Sequence, residues 1–431
     1  MRTRIYNARI LTMEEKRPVF KGEIYIDGGK IFRIKEAKTE KSERTEKPAL
    51  NEEEKWDEEI DAEGNLIMPG FKNAHTHSAM TFLRSYADDM KLQEWLFDKV
   101  FPAEAKLTSD DVYHLTKLAI LEYLTSGITA AFDMYKLKQD SAKAAEELGF
   151  RMVFCGDIND FGGTLEEMEQ DYFRYQCEET PLLSYQFGFH AEYTTSRNLM
   201  EGIAQLAGKY KKPVYVHCSE TKREVEECRE KTGMTPIAYM DSLGLFENGG
   251  GLFHGVHLDE AEICVVTNPA SNLKLASGIA PVKTYLEKGI PVAIGTDGPA
   301  SNNCLDMFKE MFLVTGLQKV VHNDPEAVPA ADVLKMATVN GAYAMGLDNC
   351  DILAEGKYAD LIMIDLMQPN MQPIQNIEKN VVYSASKLNV KMTMINGRAV
   401  YQNGKFKIGE SVEDIYENAN RIAERILDGK E

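Results

Sequence analysis

"PGFKNAHTHSAMT" (69–81) follows directly on the apolar Leu66-Ile67-Met68 and sets two histidines one residue apart. Side chains alternate along a strand, so positions i and i+2 point the same way. A strand that persists to His77 therefore aims the His75 and His77 imidazoles at one point. Two imidazoles aimed at one point suit a metal ion better than they suit each other. Taken alone, the stretch reads equally well as two surface histidines after a turn. The pattern further along the chain decides between the two.

From about Pro69 onward, short apolar runs alternate with longer amphipathic segments. The runs are "LIMPGFKNAHTH", "ITAAFD" (128–133), "RMVFCG" (151–156), "LLSYQFGFH" (182–190), "PVYVH" (213–217), "GLFH" (251–254), "ICVVTN" (263–268) and "PVAIGTD" (291–297). Helical patterns such as "SDDVYHLTKLAILEYLTS", with Thr108 or Ser109 as N-cap, lie between most of them. The gap between the sixth and seventh runs is too short for a full helix. Eight strand–helix units in order predict an α/β fold, a (β/α)8 barrel of the TIM type, over 69–348.

Outside that span the chain reads as β. Residues 1–68 carry alternating segments and a hairpin signal at Asp27-Gly28-Gly29, and 349–431 carry more strands, a turn at Asn403-Gly404 and a final amphipathic helix. The expected arrangement is a small β-sandwich built from both termini beside the barrel; two independent β caps are the alternative. The charge-dense stretch 35–59 reads as a solvated or flexible excursion.

Composition narrows the function classes. The chain has 431 residues, is 44% hydrophobic, and sets 68 acidic against 49 basic residues, a net charge of −19. Such a surface repels phosphate backbones and anionic membranes, so nucleic acid and membrane are not expected partners. Seven scattered cysteines without a CxxC pair point to reduced thiols and a cytoplasmic location. No secretory h-region opens the sequence, and no apolar run reaches membrane-spanning length.

Barrel chemistry sits at the C-terminal ends of the strands. There the runs end in His75-Thr76-His77, His190, His217, His254 and Asp297, which takes five of the eight histidines. Five on one rim is not the pattern of satisfied core residues. His75, His77, His217 and Asp297 make a three-imidazole, one-carboxylate set suited to Zn²⁺ or Fe²⁺. A second metal needs a bridging ligand, often a carbamylated lysine at the fourth strand. That strand ends in His190 with no lysine, so one divalent ion per chain is expected, with zinc preferred. Glu220, three residues past His217, is placed for proton transfer, although a first-turn glutamate such as Glu224, Glu226 or Glu227 also suits a helix dipole. "HAE" at 190–192 has the H-x-E of another class of zinc deaminase, but the P-C-x-x-C that supplies that class's thiolate ligands is missing.

"PGFKNAHTH", "HCSET", "FHGVHL", "NPASNLKLASGIAPV" and "GTDGPASNN" together resemble the amidohydrolase superfamily, and within it the 5-methylthioadenosine/S-adenosylhomocysteine deaminases. The resemblance spans nearly the whole chain. It implies that His75, His77, His217 and Asp297 hold the metal, with Glu220 and His254 flanking the attacked carbon and Asp297 taking the water proton. It implies further that Glu104 accepts hydrogen bonds from ribose hydroxyls, that His190 contacts purine or ribose, and that Ser301 and Trp95 border the base pocket. The implied activity is hydrolytic removal of the 6-amino group of an adenosine-type nucleoside by a homo-oligomeric enzyme. Guanine or other amino-heterocycle deamination, triazine hydrolysis, and an inactive scaffold are the alternatives. One departure bears on substrate. Members that take the homocysteine-tailed nucleoside carry two arginines near the third strand, whereas "FCGDINDFGGTLEEM" (154–168) has Cys155 and Thr164 at those places and no arginine. Adenosine, 5′-deoxyadenosine or methylthioadenosine is therefore expected over S-adenosylhomocysteine.

Overall fold

The computed structural model describes residues 1–37, 55–176, 181–258 and 262–429. Most of the charged stretch 35–59, and Cys177, lie outside the described residues. Five strands precede the barrel: β1 (Arg2–Ile10), β2 (Phe20–Asp27), β3 (Lys30–Glu36), β4 (Glu58–Asp61) and β5 (Leu66–Pro69). The barrel strands are β6 (Phe71–Thr76), β7 (Ile128–Asp133), β8 (Arg151–Cys155), β9 (Leu183–Ala191), β10 (Val214–Cys218), β11 (Gly250–His254), β12 (Cys264–Thr267) and β13 (Val292–Ile294). Then follow β14 (Leu361–Ile364), β15 (Val390–Ile395), β16 (Arg398–Gln402) and β17 (Lys405–Phe406).

The eight barrel strands pair in sequence order, all parallel. They are near-continuous hydrophobic runs because both faces are covered. Ala74, Phe132, Val153, Tyr215, Phe253, Val266 and Ala293 fill the interior. The first and last strands meet at the site end, where the Thr296 and Asp297 N–H groups donate to the His75 carbonyl at 3.1 and 3.0 Å. Between β11 and β12 the described residues form turns and no helix, as the short gap predicts. Thr108 and Asp111 make the capping box of the helix Ser109–Thr125.

The first apolar run is not one strand. It divides at Gly70, whose N–H donates to the Asp360 carbonyl at 3.1 Å. Leu66–Pro69 belongs to the other sheet, and the barrel begins at Phe71. A Cβ on Gly70 would stand 2.1 Å from the Thr129 side chain, so the close crossing requires glycine. That other sheet joins both ends of the chain. β5 pairs in parallel with β1 and antiparallel with β14, with Leu66 opposite Ile364 and Pro69 opposite Leu361. The nine strands form one mixed sheet, order β17-β16-β15-β14-β5-β1-β2-β3 with β4 beside β1. Ile5, Ile24 and Ile26 share one core with Met363, Met392 and Met394, so the two ends of the sheet enclose a common apolar layer. The terminal helix Val412–Ala423 leaves this sheet and lies on the barrel; its Ala419 and Ile422 pack with Val112 and Leu115, and Arg425 pairs with Asp111 at 2.6 Å. None of the described helices is long and apolar enough to cross a membrane.

A buried ion pair fastens the sheet to the closed end of the barrel. The Arg151 Nε donates to Asp360 at 2.6 Å, with side chains 4% and 0% exposed. Asp360 also accepts the Asn396 N–H at 2.8 Å. The Arg151 charge holds the Asp360 carboxyl below its ordinary range despite burial. Removing one partner of such a pair strands the other charge without water. Asp360→Ala is expected to lower unfolding free energy by about 3–5 kcal/mol, measured by urea denaturation.

Candidate active site

His77, His190, His217 and His254 line one cleft of about 1100 Å³, together with Glu220 and Asp297, and His75 lies fully buried behind them. β6 itself ends at Thr76, and His77 is the N-cap of a short 3₁₀ turn. Its ring still meets His75, the centroids lying 4.8 Å apart. The backbone selects the tautomers. His77 Nδ1 donates to the Met134 carbonyl at 2.6 Å, and His217 Nδ1 to the His190 carbonyl at 2.7 Å. Both rings therefore turn Nε2 toward the cluster. His217 Nε2 lies 3.1 Å from His75 Nε2, and Asp297 Oδ1 lies 3.2 Å from His77 Nε2 and 3.6 Å from His75 Nε2.

Electrostatics agree with a cation site. Burial lowers His75 to about 3 and drives His217 well below its ordinary value, so both stay neutral. Burial opposes a charge on His77 too, yet the Asp297 hydrogen bond and charge outweigh it and raise His77 to about 9. That proton occupies the place beside Asp297 where a bound cation would supply the positive charge. Donor atoms of His75, His77 and Asp297, and likewise of His75, His217 and His254, lie within 4.8 Å of one another. Imidazoles and one carboxylate converging at that range fit a divalent metal of the zinc type, which would take the place of the His77 proton.

The second half of the site surrounds Glu220. It is 5% exposed, accepts from Ser277 Oγ at 3.2 Å, and lies 3.8 Å from His254 Nδ1. Burial raises its carboxyl above the ordinary range, and Asp297 adds to that, while His254 opposes it. Three residues here hold left-handed backbone although none is glycine: Ser219 (φ 53°), His254 (φ 74°) and Asp297 (φ 59°). Each such residue costs on the order of 1–3 kcal/mol and persists only where its surroundings hold it. At Ser219 the holder is Glu224, whose carboxylate accepts the Ser219 and Glu220 N–H groups, the latter at 2.9 Å. Glu224 is 3% exposed, not the solvated first-turn glutamate its sequence context suggests.

The remaining expected residues divide. Trp95, Glu104 and His190 line the cleft. Glu104 accepts from the Tyr135 hydroxyl, and burial raises its carboxyl. His190 Nδ1 meets Thr194 Oγ1 at 2.9 Å, and burial lowers its ring to about 4. Ser301 stands elsewhere: its hydroxyl donates to Asp297 Oδ2 at 2.8 Å, and the residue is not part of the cleft wall. Sequence reasoning also gave no role to Ser271, which donates to the same oxygen at 2.5 Å, or to Asn272, whose Oδ1 faces His254 Nδ1 at 2.7 Å. Both lie in "NPASNLK", a motif noted for resemblance alone.

The chain matches the Amidohydrolase family over residues 66–400. It belongs to that family. A 5-methylthioadenosine/S-adenosylhomocysteine deaminase of Syntrophomonas wolfei is 40% identical over 389 residues, 87% of this chain and 90% of the relative. One from Thermococcus sibiricus is 39% identical over 396 residues, covering 89% and 90%. Among solved structures, an adenosine deaminase from Xanthomonas campestris with bound zinc superposes with a TM-score of 0.90 at 30% identity, over 99% of this amidohydrolase and 98% of the other chain.

Proposed function

We propose that this amidohydrolase removes the 6-amino group of an adenosine-type nucleoside with water, giving the 6-oxo nucleoside and ammonia. The observation that carries the reading is the placement of Glu220. A carboxyl whose hold on its proton burial strengthens stands 3.8 Å from His254, beside the imidazole–carboxylate cluster, in a cleft whose wall also carries Glu104. That is a proton donor next to a cation site, with an acceptor for sugar hydroxyls on the same wall.

His75, His77, His217 and Asp297 would hold one Zn²⁺, which lowers the pKa of water from ~15.7 toward ~7 and so makes hydroxide available at neutral pH. Asp297, fixed by Ser271, Ser301 and the Gly298 N–H, accepts the proton of the attacking water. Glu220 protonates the ring nitrogen N1, which makes C6 electrophilic. His254, held by Asn272, orients the nucleophile and steadies the charge that develops as the C6–O bond forms. Asp297 passes the proton it took to the exocyclic amine, Glu220 regains a proton from the new C6 hydroxyl, which becomes the 6-oxo group, the C6–N bond breaks and ammonia leaves. Glu104 accepts from the ribose hydroxyls, and His190 and Trp95 border the nucleoside.

The far arm of the cleft bears on the 5′ substituent. Arg174, outside the stretch from which arginine is missing, does reach this wall. It is already paired with Asp171 at 3.1 Å, and Lys138 with Asp157 at 2.5 Å. Asp140, Asp157, Glu167 and Asp171 outnumber Lys136, Lys138 and Arg174 there, and Lys136 donates to the Glu104 carbonyl, so a tail carboxylate enters a wall with an excess of acidic groups. Adenosine, 5′-deoxyadenosine and methylthioadenosine are expected to turn over with kcat/KM at least ~10-fold above S-adenosylhomocysteine, a gap of about 1.4 kcal/mol in transition-state binding. Guanine and chlorinated triazines are expected to be inert. Loss of the 6-amino absorbance, with ammonia and chloride release for the controls, measures this. Comparable turnover of S-adenosylhomocysteine and adenosine would overturn the 5′ preference, and turnover of guanine alone would overturn the nucleoside reading. The same proposal places the enzyme in the cytoplasm as a homo-oligomer; the free thiols of the six described cysteines support the compartment.

A further inference from the structure

We infer that Glu310 is a positioning residue for the Asp297 and His254 half of the site. Glu310 lies on the helix Met307–His322, is 0% exposed and takes no part in the cleft wall. Its carboxylate holds two separate segments at once. Oε2 accepts the Ala270 N–H at 3.0 Å, at the start of the helix Pro269–Lys274. Oε1 accepts Asn302 Nδ2 at 2.8 Å, in the loop beyond β13.

Each segment carries a hydroxyl to the same atom. Ser271, next to Ala270, donates to Asp297 Oδ2 at 2.5 Å; Ser301, next to Asn302, donates to it at 2.8 Å. Asn272, two residues past Ala270, fixes His254 Nδ1 at 2.7 Å. One buried carboxylate thus sets the spacing of two segments, and those segments orient a metal-side carboxylate and a catalytic imidazole. Asn302 is aimed in turn, since its Nδ2 also donates to the Thr296 carbonyl at 2.6 Å and its Oδ1 accepts from Lys309 Nζ at 2.8 Å.

The chemistry of the partners explains why a carboxylate stands here. Both are N–H donors, each met by its own oxygen of the carboxyl, and both favour its ionised form. A glutamine would turn its NH₂ group toward one of them, leaving a buried donor against a donor. Burial pushes the Glu310 carboxyl up to about 8, with the Ala270 and Asn302 donors pulling the other way.

The inference rests on the deaminase reading for its rate measurement but not for its zinc measurement. In zinc-loaded Glu310→Gln, kcat is expected to fall about 10–100-fold with KM within ~2-fold of wild type, and zinc release to a chelator to quicken by a similar factor, the range seen when partners of ligating groups are removed. Far-ultraviolet circular dichroism gives the folded fraction by which both are normalised. If the glutamine variant does not fold, Glu310→Asp, which keeps the charge but shortens its reach, is measured the same way. Wild-type kcat and wild-type zinc release per folded molecule would overturn the inference. So would a loss explained wholly by a smaller folded fraction. If the wild type shows no nucleoside turnover, the deaminase reading fails and zinc release alone decides the role of Glu310.

Discussion

Glu220→Gln is expected to retain one zinc per chain and to lose about 10²–10⁴-fold in kcat, the usual worth of a single general acid–base group. Glutamine preserves the volume and the contact with Ser277 Oγ but carries no transferable proton. No hydrogen bond or ion pair joins Glu220 to the four proposed ligands; it stands beside His254, 3.8 Å away. Metal content should therefore be unaffected while N1 protonation is lost. Steady-state kinetics beside metal analysis of the same sample separate the two effects. A variant within tenfold of wild type would remove Glu220 from the mechanism, and one that lost its zinc would make it a ligand instead.

Stripping the metal should have the largest effect. Prolonged chelation is expected to reduce kcat by at least ~10³-fold and to lower the thermal unfolding midpoint, because a ligand present at a thousand times its dissociation constant stabilises the folded state by about 4 kcal/mol. Without the ion, Asp297 raises His77 to about 9 and draws a proton into the cluster, so rebinding at neutral pH releases protons. One equivalent of Zn²⁺ per chain should restore both rate and midpoint. A titration that saturates only at two equivalents would favour a dinuclear hydrolase.

The barrel was readable because parallel strands covered on both faces are unbroken apolar runs, and the site because five runs end in a polar residue that faces the cleft, namely His77, His190, His217, His254 and Asp297. All eight runs contain a barrel strand. The change of sheet at Gly70 was not readable, since "LIMPGF" is equally apolar on both sides and only the Asp360 carbonyl and the Thr129 side chain mark the crossing. The second line of carboxylates was hidden for a related reason. Glu224 sits in "TKREVEE", indistinguishable by charge from a wet helix face, and the left-handed turn at Ser219 is what tucks it inward. The resemblance implies Ser301 at the border of the base pocket; its hydroxyl instead donates to Asp297, a choice that depends on side-chain direction within a tight turn.

The β5–β14 pairing also sets an order for biosynthesis. Nearly three hundred residues separate Pro69 from its partner Leu361. A ribosome working at about 5–20 residues per second spans that interval in roughly 15–60 s. Throughout it the Leu66–Pro69 edge has emerged with no strand to complete it, next to a barrel that is itself unfinished. An open apolar edge invites pairing with other nascent chains. The fold thus leaves its first-made piece dependent on its last, and a chaperone that shields the amino-terminal sheet during translation should raise the yield of native protein more than one that acts after release.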